Sequence, residues 1–227
     1  MTGSTVPVTA ADETRPLRRD AQRNRERIIA AAHEVFATRG FAATLDDVAH
    51  HAGVGVGTVY RRFPTKEELV AAVFADRMQD VVALAERALA TESAWDGLIL
   101  LLTESVRMQA RDRGLRDLLL TVDKSNLPAL KGRVPELATA VIERARAEGT
   151  LRPDFEPTDL PMIFTMLSEV ARTCGDIRPD AYERYLTLII DGLRAGSARG
   201  DLGAPLTISC VQDALTKCVP PLEPRRR

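Results

Sequence analysis

Residues Thr44 to Leu69 read TLDDVAHHAGVGVGTVYRRFPTKEEL, and this stretch decides the fold. Thr44 and Asp47 stand at N-cap and N3 spacing, a capping box with Asp in place of Glu. Asp46 and Asp47 also favour the positive end of the helix they start. Gly53 supplies the positive φ at which the chain can reverse. A second short helix follows from about Val56 to Phe63, and Pro64 forbids its smooth continuation. Thr65 and Glu68 then form another capping box and launch a longer helix. Two short helices across a glycine turn are the arrangement that lays the second helix in the major groove of DNA.

That second helix carries Thr58, Tyr60, Arg61 and Arg62. A guanidinium donates two bonds to O6 and N7 of guanine, which makes Arg61 the candidate base reader. Thr58 and Tyr60 suit phosphate oxygens, which fix position rather than sequence. Lys66 stands in the first turn of the next helix, where free backbone N–H groups attract an anion. Thr44 caps its own helix in the same way, so two helix starts clamp a phosphate backbone from both sides. Gly57 has two readings: close approach to DNA, or close packing against the first helix. His50 and His51 read as a solvated pair. Between Arg15 and Lys66 ten basic residues face five acidic ones, leaving +5 there and −6 on the rest of a chain whose net charge is −1. Such asymmetry points to a polyanionic partner for the basic part.

Outward from this unit the chain predicts more helix. Aromatic residues are only 4% of the 227, strand formers are sparse, and Ala, Leu, Arg and Glu abound, which favours an all-α protein. Residues 1–16 lack periodicity and read as a disordered arm. A first helix runs from about Arg19 to Arg39, with Gly40 just past its end, so residues 17–65 form a three-helix helix–turn–helix domain. Residues 66–196 form a larger helical domain. Its fourth helix reaches about Ala90, and Trp95, Leu98, Ile99, Leu102 and Val106 trace a fifth that ends near Arg113-Gly114. A short sixth spans Leu115 to about Val122, and Pro135 and Gly149 bracket a seventh. Thr158 or Asp159 caps an eighth, and Pro179-Asp180 opens a ninth, giving about nine helices. Residues 197–227 turn to Gly, Pro and Ser and read as a tail.

Helices eight and nine are apolar over more than one stripe and need a second cover. A second copy of the chain fits, with Val170, Tyr185, Ile189 and Leu193 as candidates for the interface. Leu101, Ser105 and Met108 make a second stripe on helix five, and helix eight offers Phe164, Met166 and Ser168. Not all of these can face one packed neighbour. They predict a mostly apolar effector cavity of roughly several hundred Å3 among helices five to eight, the usual range of ligand sites. Residues 1–15 lack the apolar core of a leader, and no apolar run approaches the roughly 20 residues that span a bilayer. Cys174, Cys210 and Cys218 show no metal spacing with the three histidines, all of which lie in the helix–turn–helix region. No phosphate-binding loop, HExxH or nucleophile with partner histidines is present. A cytoplasmic protein that is no enzyme, takes no cofactor or metal and meets no membrane is the expectation.

The Thr44–Leu69 stretch closely resembles the DNA-binding region of the TetR family of bacterial transcriptional regulators, a likeness covering about the first third of the chain. The resemblance implies that Thr44, Tyr60 and Lys66 hold phosphates while Thr58 and Arg61 meet bases. Two positions depart from the family. Gly55 replaces a frequent serine cap, and Arg62 stands where His or Tyr is common, which makes Arg62 a further phosphate contact. The resemblance also implies dimerisation through the last two helices of the larger domain and a pocket for a small effector. A homodimeric repressor on an approximately palindromic double-stranded operator, released by a largely apolar effector, is the expectation. The alternatives are a constitutive or architectural DNA-binding protein with a packed second domain, an enzyme with a regulatory DNA module, and a regulator that senses redox state through the three thiols.

Overall fold

The computed structural model describes residues 14–120, 132–196 and 200–218. The helices are α1 Thr14–Arg39, α2 Leu45–Ala52, α3 Val56–Arg62, α4 Lys66–Ala90, α5 Ala94–Arg111 and α6 Arg113–Leu120. They continue as α7 Arg133–Ala147, α8 Asp159–Cys174, α9 Ala181–Leu193 and α10 Ile208–Cys218, and a 3₁₀ turn at Gly40–Ala42 follows α1. Among the described residues no strand forms, and the expected all-α architecture of a small N-terminal unit and a larger helical domain is present. No helix there is long and apolar enough to cross a membrane.

Two apolar cores sit end to end. The first joins Ile28 and Phe36 of α1, Phe41, Val48 of α2, Val59 of α3, the start of α4 and Leu115 and Leu118 of α6. The second joins the far half of α4 to α5, α7, α8 and α9. Helix α4 has 25 residues and so runs about 37 Å at 1.5 Å per residue, which lets one element belong to both cores.

Close packing fixes α6 within the first core. Phe36, Phe41 and Phe74 form a ring cluster with centroids 5.9 to 6.4 Å apart. Gly114 lies against it: a Cβ there would come within 2.7 Å of the Phe74 ring and 2.9 Å of Phe36 Cβ. The sequence suggests Gly114 as the end of helix five, but that helix closes at Arg111 and Gly114 lies inside α6. Its role is close approach, which composition alone does not distinguish from termination.

Other boundaries move for local reasons. α1 begins at Thr14, so the last residues of the expected arm are helical, with Pro16 in the first turn where proline is tolerated. The expected tail contains α10, whose Val211 and Leu215 are buried against the first core. Arg152 ties the connection between α9 and α10 by donating to the carbonyls of Gly192 at 3.2 Å and Gly200 at 2.7 Å. Residues 1–13, Val122 at the expected end of helix six, and residues 219–227 lie outside the described residues.

Candidate nucleic-acid interface and effector cavity

Helices α2 and α3 are fixed by their ends. The Thr44 N–H donates to Asp47 Oδ2 at 2.8 Å while the Asp47 N–H donates to Thr44 Oγ1 at 3.1 Å, a reciprocal capping box. The Thr44 hydroxyl also donates to Asp47 Oδ2 at 2.8 Å, so this side chain is engaged in its own helix start. Gly53 adopts φ 63° and closes α2, and Arg27 of α1 donates to the Ala52 carbonyl at 3.0 Å. His50 and His51 are both exposed, and His51 Nε2 lies 2.7 Å from Glu34 Oε2 of α1.

Buried Val59 and Phe63 anchor α3 to the first core. Its other face is open: Gly55, Gly57, Arg61 and Arg62 are exposed, and Thr58 and Tyr60 are half-buried at its edge. A Cβ on Gly57 would meet nothing within 4 Å. Packing against α1 therefore does not account for this glycine, and its bare backbone faces outward beside the two arginines.

Lys66 differs from expectation. Its side chain is 4% exposed, and Nζ donates to the Phe41 carbonyl at 2.6 Å. The ammonium bridges the start of α4 to the turn after α1 instead of facing solvent. The free N–H groups at the α4 start remain the anion-attracting feature of that helix end, with the Thr65 hydroxyl accepting from the Glu68 N–H at 3.2 Å.

Asp47 is held at about 2 against an ordinary 3.8, first by the Thr44 backbone N–H and then by Arg39, whose Nη1 lies 2.8 Å from its carboxylate. A carboxyl with a depressed folded value stabilises above the unfolded value and loses that contribution as pH falls through the folded one. Asp47→Ala should cost about 1 kcal/mol at pH 7 through loss of the cap. In urea unfolding the difference from the parent protein should shrink between pH 4 and pH 2. An unchanged difference at pH 2 would show that the carboxylate charge is not the cause.

One carboxylate ties α6 to the turn after α1 within the first core. Asp117 of α6 is 2% exposed, accepts the Phe41 N–H at 2.7 Å and receives Arg116 at 2.6 Å. Gly40 has φ +58°, and a Cβ there would lie 2.2 Å from Asp117 Oδ2. Arg113 donates to the Thr38 carbonyl at 3.2 Å. The linkage thus runs from α6 through Asp117 to Phe41, and from the Phe41 carbonyl to Lys66 beside α3.

A cavity of about 190 Å3 lies behind α6. It is lined by Val81 and Ala85 of α4, Leu101, Ser105 and Gln109 of α5, Leu119 and Leu120 of α6, and residues of α7 and α8 that include Ala138, Thr139, Leu160 and Phe164. Of the six residues expected there, Leu101, Ser105 and Phe164 line it. Met108 packs between the two cores instead. Met166 is 55% exposed on the outer face of α8, and Ser168 is buried elsewhere, near Arg116 and Arg172. The space is smaller than expected, and α4, which the expected helices five to eight do not include, forms part of its wall. Gln109 and the α4 residues escape sequence reasoning: they belong to stripes whose partners only the packing reveals.

Helices α8 and α9 leave an apolar outer surface. Met166, Tyr185 and Leu188 are exposed there, Leu188 at 59%. Val170 and Ile189 are half-buried at the margin of the second core. Leu193 is buried inside that core and does not belong to an outer face. All three cysteines are free thiols, and the described residues contain no cluster fit to hold a metal ion.

A compact helix–turn–helix unit with an open arginine-bearing helix, joined to a larger helical domain, defines a DNA-binding transcriptional regulator. The sequence signature of bacterial regulatory proteins of the tetR family matches residues 28–73, and that of the SbtR-like transcriptional regulator C-terminal domain matches residues 93–195. Together they cover more than half of the chain, which belongs to the TetR family of transcriptional regulators. The chain is 38% identical over 88 residues to the HTH-type transcriptional regulator SrpR of Pseudomonas putida, a match over 38% of this chain and 41% of SrpR. It therefore spans about two fifths of that relative's length. A gamma-butyrolactone receptor described as ArpA-like shares the fold with a TM-score of 0.56 at 22% identity, over 88% of this chain and 98% of the receptor. FadR from Bacillus subtilis, solved with stearoyl-CoA, does so with a TM-score of 0.55 at 18% identity, over 75% of this chain and 98% of FadR.

Proposed function

We propose that this regulator is a homodimeric repressor released from an approximately palindromic operator by a small, largely apolar effector. The observation that carries the reading is the position of the cavity. Its wall includes Leu119 and Leu120 of α6, the helix whose Asp117 holds the turn at Phe41. A ligand that shifts α6 changes the support of the reading helix, and a ligand releases DNA only if it binds the released state more tightly. On the DNA side, Arg61 reads a base with Thr58 beside it. Thr44, Tyr60 and Arg62 hold phosphates together with the N–H groups at the start of α4.

The test uses an operator selected from random DNA by the full chain, with affinity followed by fluorescence anisotropy. Apolar compounds that raise the melting temperature of the protein should weaken operator binding. The same compounds should do neither in Ala138→Trp, which fills the cavity. If compounds that stabilise the protein leave operator affinity unchanged, a constitutive DNA-binding protein is the better account.

The dimer has its own expected result. Two-fold symmetry pairs one patch with itself, and the exposed residues of α8 and α9 supply an apolar patch of the right kind. Leu188→Glu places a charge there without touching the monomer's core, so it should give folded monomers with most operator affinity lost. Light scattering that finds wild type and variant in the same oligomeric state would remove α9 from the interface.

A further inference from the structure

The cavity is not uniformly apolar, and the exception has a direction. Gln109 is 2% exposed and lines the cavity from the C-terminal part of α5. Its Nε2 donates to the Ser105 carbonyl at 3.2 Å. That bond fixes which way the amide points, because the nitrogen is the only donor of the pair. Oε1 is left buried and without a hydrogen-bond partner among the described residues. Buried acceptors are costly to leave unpaired, and native structures rarely do so without a reason. Leu101, Ser105 and Gln109 recur every four residues on one face of α5. The stripe runs about 12 Å at 1.5 Å per residue, from an apolar end to a polar one.

We infer that the cavity takes a largely apolar ligand bearing one hydrogen-bond donor, a hydroxyl or an amide N–H, which the Gln109 side-chain oxygen accepts. This rests on the effector reading above and names the chemistry of the effector. The apolar body lies against Val81, Leu120, Leu160 and Phe164, and the donor sits at Gln109. Ser105, one turn away on the same face, is placed to meet the oxygen of a ligand hydroxyl. Gln109 is thus the residue that determines specificity. A site built to bond a ligand hydroxyl discriminates strongly against the analogue lacking it, because its own polar group is then stranded.

Three probes of nearly one shape test this on the full chain by calorimetry: 2-naphthol, 2-methoxynaphthalene and naphthalene. The first donates a hydrogen bond, the second only accepts, and the third does neither. Wild type should bind 2-naphthol at least about tenfold more tightly than the other two. In Gln109→Met, which keeps the length of the side chain but removes the acceptor, the three affinities should fall within about twofold of one another. The comparison on wild type decides the matter even if that variant fails to fold. Equal binding of all three by wild type overturns the inference while leaving the effector reading intact, as does donor-selective binding that persists in Gln109→Met. Binding unaffected by Ala138→Trp places the probes outside the cavity and overturns it too. Binding of none of the three overturns the effector reading itself.

Discussion

Asp117→Ala should lower the stability of the folded protein by about 3–5 kcal/mol, the cost of stripping one partner from a buried charged pair. The carboxylate is 2% exposed and serves two donors at once, the Phe41 N–H at 2.7 Å and Arg116 at 2.6 Å. Removing it strands a buried backbone donor and a guanidinium that is only 12% exposed. Asp117→Asn keeps an acceptor for Phe41 and should cost less than half as much. Gly40→Ala should be comparably severe, since it combines a left-handed φ with a Cβ 2.2 Å from the same carboxylate oxygen. Urea unfolding of the three variants measures this. If Asp117→Ala unfolds at the wild-type midpoint, the turn after α1 is not held to α6 by this residue.

Lys66→Ala should also register as lost stability, about 1.5–3 kcal/mol, the range for a hydrogen bond to a charged group. Its ammonium donates to the carbonyl of Phe41, and both residues are buried. The sequence alone suggests a different result, because a lysine in the first turn of a helix after a recognition element is a natural phosphate ligand. Removing a phosphate ligand would reduce the dependence of operator affinity on salt by about one unit. With the ammonium turned inward the salt dependence should stay as it is while the urea midpoint falls. A reduced salt slope with unchanged stability would return Lys66 to the DNA surface.

That contrast shows which features are legible in a sequence. Thr44 and Asp47, Gly53 and Gly149 act on their immediate neighbours, so spacing alone locates the helix ends they make. The anchored face of α3 is not legible in the same way, since Val56 is as apolar as Val59 and yet is 44% exposed. Lys66, Gly114 and Gln109 answer to residues 25 positions or more away in the chain or to a helix packed across from them. No local pattern records such partners. Gly57 lies between the two cases: its packing and its exposure read alike in sequence, and open space around it separates them. α10 is missed because Gly and Pro on both sides of it read as a tail, although Ile208–Cys218 itself holds neither, and the burial of Val211 and Leu215 depends on a surface built elsewhere.

Base reading by α3 in a symmetric dimer is the central claim. The most direct test is selection of operator DNA from random sequence by wild type and by Arg61→Ala, side by side at one salt concentration. Wild type should select an approximate palindrome with half-site centres about one helical turn apart, or a multiple of it. Arg61→Ala should keep that spacing but lose preference at one base position in each half-site, symmetrically, worth about 1–3 kcal/mol per position. Selection of the same motif by both proteins, with affinity lowered uniformly for the variant, would contradict it.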